Sequence, residues 1–202
     1  MNDKLLQESL PAQRQFFEKH QERLSQTVEH GQTPTALFIA CSDSRLVPER
    51  MLGIEPGEFF MYRVPGNVIP PYSQVEPGTA ATLEFSIQNL GLPHIVICGH
   101  TGCGVILALD EQVDMSKQPG LWRWTNLARP AAEEIDRGRG IHEDPAERHR
   151  AIVEENVRLQ LSHLETYPYI REALATAKLK LHGWVYDLAG QEIYLLPDRR
   201  PT

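Results

Sequence analysis

The chain has 202 residues, 41% of them hydrophobic and 23% charged, the composition of an ordinary water-soluble folded domain. A formal charge of −7 offers no basic stripe to neutralise phosphate, so nucleic acid is not an expected partner. No apolar run approaches the roughly 20 residues that cross a bilayer, which removes the membrane as a partner, and three cysteines are too few, and odd in number, for a disulfide framework.

The opening Met1-Asn2-Asp3-Lys4 lacks a secretory pattern because polar residues interrupt every early apolar stretch. The expected location is therefore the cytoplasm, either open or within a bacterial microcompartment. Residues 3–29 are polar with apolar positions at Leu5, Leu6, Phe16, Phe17, Leu24 and Val28, a spacing that predicts helical segments broken near Pro11. Residues 1–31 are read as a helical arm and residues 32–202 as the main domain. Past Gly31, Ala36-Leu37-Phe38-Ile39-Ala40 reads as a strand and Phe59-Phe60-Met61-Tyr62-Arg63 as a second. Gly78 to Leu90 reads as a helix, apolar around most of its surface and hence expected to be buried, with Gly91 ending it. His94 to Cys98 is the next strand, and Cys103 to Leu109 opens another helix. The segment from Glu111 to Gly140 is read as irregular surface. Asp144-Pro145-Ala146-Glu147 then combines a capping residue, a proline at the first helical position and a glutamate three residues on. Ile152, Val153, Val157 and Leu161 continue that helix, and Lys178 to Asp187 and Gln191 to Leu196 are the last two strands. Strands alternating with helices predict an α/β fold with a mainly parallel central sheet flanked by helices.

Two segments carry the chemistry: Cys41-Ser42-Asp43-Ser44-Arg45 and His100-Thr101-Gly102-Cys103. Each follows a strand, so Cys41, His100 and Cys103 fall at the carboxyl ends of two strands, where open α/β sheets build their sites. Two thiolates and one imidazole suit Zn2+ and leave a fourth position open. Cys98 lies inside an apolar strand outside this spacing and reads as core. His142 and His149 lack the i, i+4 spacing of a helical metal pair, His20 and His30 lie in polar stretches, and His94 and His182 flank strands. None of the six is given a role.

These segments resemble those of the β-class carbonic anhydrases, zinc enzymes that interconvert CO2 and bicarbonate. The resemblance rests on Cys41 to Arg45 and on Gly99-His100-Thr101-Gly102-Cys103-Gly104, with support from Glu55-Pro56-Gly57-Glu58. It is strongest toward the plant and cyanobacterial branch, through Ile69-Pro70-Pro71-Tyr72, Leu164-Glu165-Thr166-Tyr167-Pro168 and Gly183-Trp184-Val185-Tyr186. It implies hydration of CO2 by a zinc-bound hydroxide oriented by an Asp43–Arg45 dyad, with Asp43 able to become a fourth metal ligand in a closed state. It further implies a substrate pocket of Gln32, Phe60, Pro65, Phe85 and Gly104. It implies a homodimer or larger homo-oligomer, with the N-terminal helices lying across the partner. The sequence departs from the family pattern at Val64-Pro65, where an asparagine is usual in place of the valine, and at Phe85, where tyrosine is common. These departures keep two other readings in view: a same-fold homologue that is impaired or regulatory, and a hydrolase of carbonyl sulfide or carbon disulfide. A cysteine–histidine hydrolase using Cys41 or Cys103 is a remoter reading.

Overall fold

Two strands are apolar along nearly their whole length, and they form the centre of the sheet. In the computed structural model, which describes residues 4–111, 113–138 and 144–197, β1 (Ala36–Cys41) is buried at every position and β3 (His94–His100) at all but its first. Burial on both faces is what parallel strands covered by other elements require. Met1, Asn2, Asp3, Gly140 and His142, which entered the sequence reading, lie outside the described residues. With β2 (Phe59–Val64), β4 (Lys180–Asp187) and β5 (Glu192–Leu195) the strands make one sheet in the order β2-β1-β3-β4-β5. All neighbours are parallel except β4 and β5. β5 runs antiparallel because a tight turn joins it to β4, with Gln191 at φ 57°.

The helices follow the proline and capping signals. The first, α1 (Lys4–His30), runs unbroken through Pro11, which corrects the expected interruption. A proline there removes one N–H, and the carbonyl it would have met belongs to exposed Gln7, which lies open to solvent and so carries little penalty. A short α2 (Pro48–Met51) follows β1, and α3 (Pro77–Glu84) continues into a π-turn over Phe85–Asn89. Gly91, at φ 63°, ends this run as expected, and Leu92 N–H donates to Ser86 O at 3.1 Å. The run is not buried all round. Thr79, Leu83 and Ser86 form its one buried stripe, whereas Ala81 and Phe85 are exposed, because only one face meets the rest of the chain. The helix opened by Cys103 is the single turn α4 (Gly104–Leu107).

The segment expected to be irregular contains α5 (Pro119–Asn126) and α6 (Arg129–Gly138). Its buried stripe is Thr125, Ala128, Ala131 and Ala132, residues too small or polar to register as apolar periodicity. The long α7 (Pro145–Leu164) begins as the sequence signals, with Asp144 accepting from Ala146 N–H at 2.8 Å. It lies against β3 and β4, and α8 (Pro168–Ala175) completes the chain's helices among the described residues. The main core unites Leu37, Ile39, Ile95, Ile97 and Val185 of the sheet with Ile152, Val153 and Val157 of α7. A smaller cluster of Phe38, Ala40, Val96 and Cys98 occupies the opposite face of the sheet. No described helix is long and apolar enough to cross a membrane.

Candidate metal centre

From β1 the chain moves outward to β2 on one side, then crosses to β3 on the other, so the strand order reverses between β1 and β3. Such a reversal opens a crevice at the carboxyl ends of the two strands. Cys41 is the last residue of β1 and His100 the last of β3. Cys103 joins them because Gly102 adopts φ 69°, a left-handed conformation that glycine reaches without a Cβ penalty.

All three side chains are buried, and one donor atom from each lies within 4.8 Å of the others. The Cys41 and Cys103 sulfurs are 4.0 Å apart. Two thiolates at about 2.3 Å from one tetrahedral zinc stand roughly 3.8 Å apart, so the gap fits that ion. His100 Nδ1 donates to Thr101 O at 3.1 Å, which fixes the tautomer and leaves Nε2 as the lone-pair nitrogen. That Nε2 is buried and without a hydrogen-bond partner among the described residues. A buried acceptor left unmatched is costly, and a cation between the three donors removes the cost. The residues fit a zinc ion.

The Cys103 thiol, more than any other neighbour, lowers the Cys41 pKa to about 4 against the opposing effect of burial. The Gly66 N–H, 3.2 Å from the sulfur, adds to the lowering. Cys103 shifts upward because it faces that thiolate and is itself buried. A dication at the site favours the thiolate form of both. Cys98 differs in kind: burial pushes its thiol up to about 12.

Asp43 follows Cys41 out of the strand and is gripped by Arg45. Its Oδ1 accepts from Arg45 Nε and from the Arg45 backbone N–H, both at 2.9 Å, and its Oδ2 accepts from Arg45 Nη2 at 2.7 Å. These bonds hold the carboxyl far below the usual carboxylate range. Asp43 Oδ2 also lies 4.0 Å from His100 Nε2. Arg45 Nη2 donates a further bond to Gly102 O at 2.8 Å, tying the two loops together.

Three supporting residues escaped the sequence reading. Arg63, the β2 residue opposite Ala40, donates to Cys41 O at 2.9 and 3.1 Å and to Asp43 O at 2.7 Å. Asp187 at the end of β4 accepts from Thr101 Oγ1 at 3.1 Å and Arg150 Nη2 at 2.7 Å. His149, given no role from sequence, accepts from Gly102 N–H at 3.0 Å. No periodicity or spacing singles out these three, since their partners are backbone atoms or residues distant in the chain. Of the other histidines, His20 pairs with Glu55 at 2.7 Å, and His182 meets His94 at 3.1 Å.

The expected pocket residues divide. Val64 is in register with Cys41, so Pro65 begins beside the site, where its carbonyl accepts from Trp124 Nε1 at 2.8 Å. Gly104 follows Cys103, and a Cβ there would meet nothing within 4 Å. Phe60 and Phe85 meet at a tilt of 40°, with centroids 5.8 Å apart. Phe60, however, is in register with Leu37, four residues before Cys41, or roughly 13 Å along the strand. Gln32 is exposed ahead of β1, at the end opposite Cys41. Within one chain, therefore, Gln32, Phe60 and Phe85 are not brought to the ligands, because the length of the strands separates them.

An open α/β sheet with a buried Cys–His–Cys donor set at its switch point is the arrangement of an α/β protein able to hold a metal ion. The family model described as carbonic anhydrase matches residues 36–193, and the chain belongs to the β-carbonic anhydrase family. It is 38% identical to the carbonic anhydrase of Pseudomonas aeruginosa over 188 residues, covering 92% of this chain and 80% of that protein. Relatives from the cyanobacterium Synechococcus elongatus and from the Arabidopsis thaliana chloroplast each match at 34% identity, over 88% and 78% of this chain and 65% and 52% of theirs. Among solved structures, the β-carbonic anhydrase CcaA superposes with a TM-score of 0.85 at 31% identity, covering 94% of each chain. A tetrameric β-carbonic anhydrase of the fungus Sordaria macrospora superposes at 0.80 and 29% identity, covering 96% of this chain and 98% of that one. The chain is an enzyme of this family.

Proposed function

We propose that this chain catalyses the reversible hydration of CO2 to bicarbonate and a proton, with zinc held by Cys41, His100 and Cys103. The observation that carries this reading is the buried, unpartnered His100 Nε2 grouped with two cysteine sulfurs beside an arginine-held carboxylate. Zinc at these donors supplies a Lewis acid that lowers the pKa of water from 15.7 to about 7, making hydroxide available at neutral pH. Asp43, kept ionised by Arg45, would present Oδ2 as a fixed acceptor beside these donors and so orient the attacking water, through its O–H, toward CO2. Arg45 holds the carboxylate as an acceptor and keeps it off the metal. Release of Asp43 from Arg45 would let it close the site as a fourth ligand. Pro65 and Gly104 border the substrate space, and Gln32, Phe60 and Phe85 reach a site only across a subunit boundary.

The chain works as a homodimer or larger homo-oligomer. Residues 1–31 act as an arm, since α1 exposes Leu6, Leu10, Phe16, Phe17 and Val28 instead of packing them on its own core. The tetrameric Sordaria relative supports assembly. Three unpaired thiols suit a reducing compartment, the cytoplasm or a bacterial microcompartment within it.

Stopped-flow CO2 hydration by zinc-loaded protein tests the reading across pH 6.5 to 9, a range that spans the water pKa of about 7. Hydration is expected in the unaltered chain and is expected to be lost in Cys41→Ser and Asp43→Asn. Full activity in zinc-replete Asp43→Asn would remove the dyad from the mechanism. Absence of hydration in the unaltered, zinc-loaded chain would overturn the function itself.

A further inference from the structure

We propose that His149 is a positioning residue for the Asp43–Arg45 pair, acting through the backbone of Gly102. The inference rests on the role given to that pair under the proposed function and extends it to α7, an element outside both ligand segments.

Arg45 is more than half exposed, and an exposed arginine samples many rotamers unless something besides its carboxylate partner fixes the guanidinium. That second anchor is Gly102 O, which accepts from Arg45 Nη2 at 2.8 Å. The same nitrogen donates to Asp43 Oδ2 at 2.7 Å, so the direction of the Gly102 carbonyl helps set where the carboxylate points. Gly102 is the most pliable residue of the loop between His100 and Cys103. It stands at φ 69° with no side chain to restrain it, and it needs a partner that fixes its amide.

His149 is that partner. Its Nε2 accepts the Gly102 N–H at 3.0 Å. Burial lowers the imidazole pKa from its ordinary value, which keeps the ring neutral and its Nε2 an acceptor. The turn of α7 that carries the ring is braced on both sides of position 149. Arg148 donates to Asp110 and Asp136 through four bonds of 2.9 Å. Arg150 donates to Asp187 at 2.7 Å. Asp187 in turn accepts from Thr101 Oγ1, and Thr101 N–H donates to Tyr186 O at 3.0 Å. Thr101 is thus tied to β4 and Gly102 to α7, so both residues ahead of Cys103 have their amides fixed. A relay of hydrogen bonds runs from His149 to Gly102, Arg45 and Asp43, ending 4.0 Å from His100 Nε2.

The test compares the zinc-loaded full chain with His149→Leu, which fills similar volume without an acceptor, and with His149→Gln, whose Oε1 takes the place of Nε2. Asp43→Asn is run alongside. Zinc per chain and thermal midpoint are measured for each, together with kcat/KM for CO2 hydration and a crystal structure. His149→Leu is expected to retain its zinc and lose about five- to tenfold in kcat/KM, the factor for one hydrogen bond of ordinary net strength. In its crystal structure the Arg45–Gly102 contact should exceed about 3.5 Å, outside bonding range. His149→Gln should restore the rate to within about twofold and the contact to bonding range, a rescue that loss of packing alone would not give. Wild-type rate and an intact Arg45–Gly102 contact in His149→Leu would overturn the inference, as would a Gln variant no better than Leu at equal zinc and stability. If Asp43→Asn is inactive while His149→Leu is unimpaired, only this inference falls. If Asp43→Asn keeps full rate, the dyad reading falls and takes the inference with it.

Discussion

Gly99 sits one residue before His100, and adding a single methyl group there should disturb both packing and the geometry of the candidate metal centre. A Cβ at position 99 would lie 2.7 Å from Val157 Cγ2 and 3.3 Å from Val153 Cγ1. Carbon atoms prefer 3.5–4.0 Å, so β3 and α7 would have to separate by about 1 Å. Neither valine can step aside: both are fully buried, and branching at Cβ leaves each one comfortable rotamer on a helix. Gly99→Ala is therefore expected to cost about 1–3 kcal/mol, the range for an overpacked core. Val157→Ala alone removes two methyl groups and should cost about 2 kcal/mol. Combined, the new methyl occupies space the valine vacates, and the double variant should be more stable than the sum predicts by about 1–2 kcal/mol. Denaturant midpoints at one fixed protein concentration, with and without a chelator, measure the four corners of this cycle. A Gly99→Ala protein that unfolds at the wild-type midpoint and holds zinc as tightly would refute the reasoning, and so would strict additivity.

Other expectations follow from the same geometry. Cys41→Ser and Cys103→Ser should each lose stoichiometric zinc, whereas Cys98→Ala should keep one zinc per chain by elemental analysis. Cys98 also bears on alkaline stability. Its folded thiol is pushed up to about 12 while the unfolded thiol ionises near about 8.5. The stability it contributes is complete below that lower value and is lost as pH rises from there toward the folded one, so Cys98→Ala should show a flatter fall in denaturant midpoint between pH 8 and 10. Arg63→Lys replaces a fork that reaches two carbonyls with a single ammonium, and zinc transfer to a chelator should become about tenfold faster, as expected for one lost charge-assisted bond. An unchanged transfer rate would show that Arg63 does not restrain the Cys41 loop. Removal of residues 1–31 should lower the oligomeric state seen by light scattering, and a truncated chain that still assembles would argue against the arm.

Much of the fold could be read in advance where one residue type carries a strong local signal. The continuous apolar runs of β1 and β3 announced buried parallel strands, and Asp144-Pro145 announced the start of α7. The grouping of Cys41, His100 and Cys103 was legible because Cys41 and His100 each end a strand and Cys103 follows His100 by three residues. Helices α5 and α6 were not legible, since they bury alanines and a threonine whose hydroxyl turns back to Leu121 O and Trp122 O. The unbroken α1 hid behind Pro11, whose missing hydrogen bond costs little on an exposed face. The supports of the metal centre were illegible for a different reason. Arg63 and His149 act on backbone atoms tens of residues away, and only the fold brings such partners together.

The spacing of the two cysteines has a consequence for how the chain is held together. Cys41 and Cys103 lie 62 residues apart in sequence. A zinc ion gripping both sulfurs is a cross-link, closing a loop that contains β2 and α3 and fastening the first central strand to the turn after the second. A covalent tie around a loop of this length removes about 4 kcal/mol of chain entropy from the unfolded state. Reducing conditions would break a disulfide placed here but leave a thiolate–metal clasp intact. A zinc ion bound there would double as a staple across the first half of the chain, and its loss would loosen the scaffold as well as the chemistry.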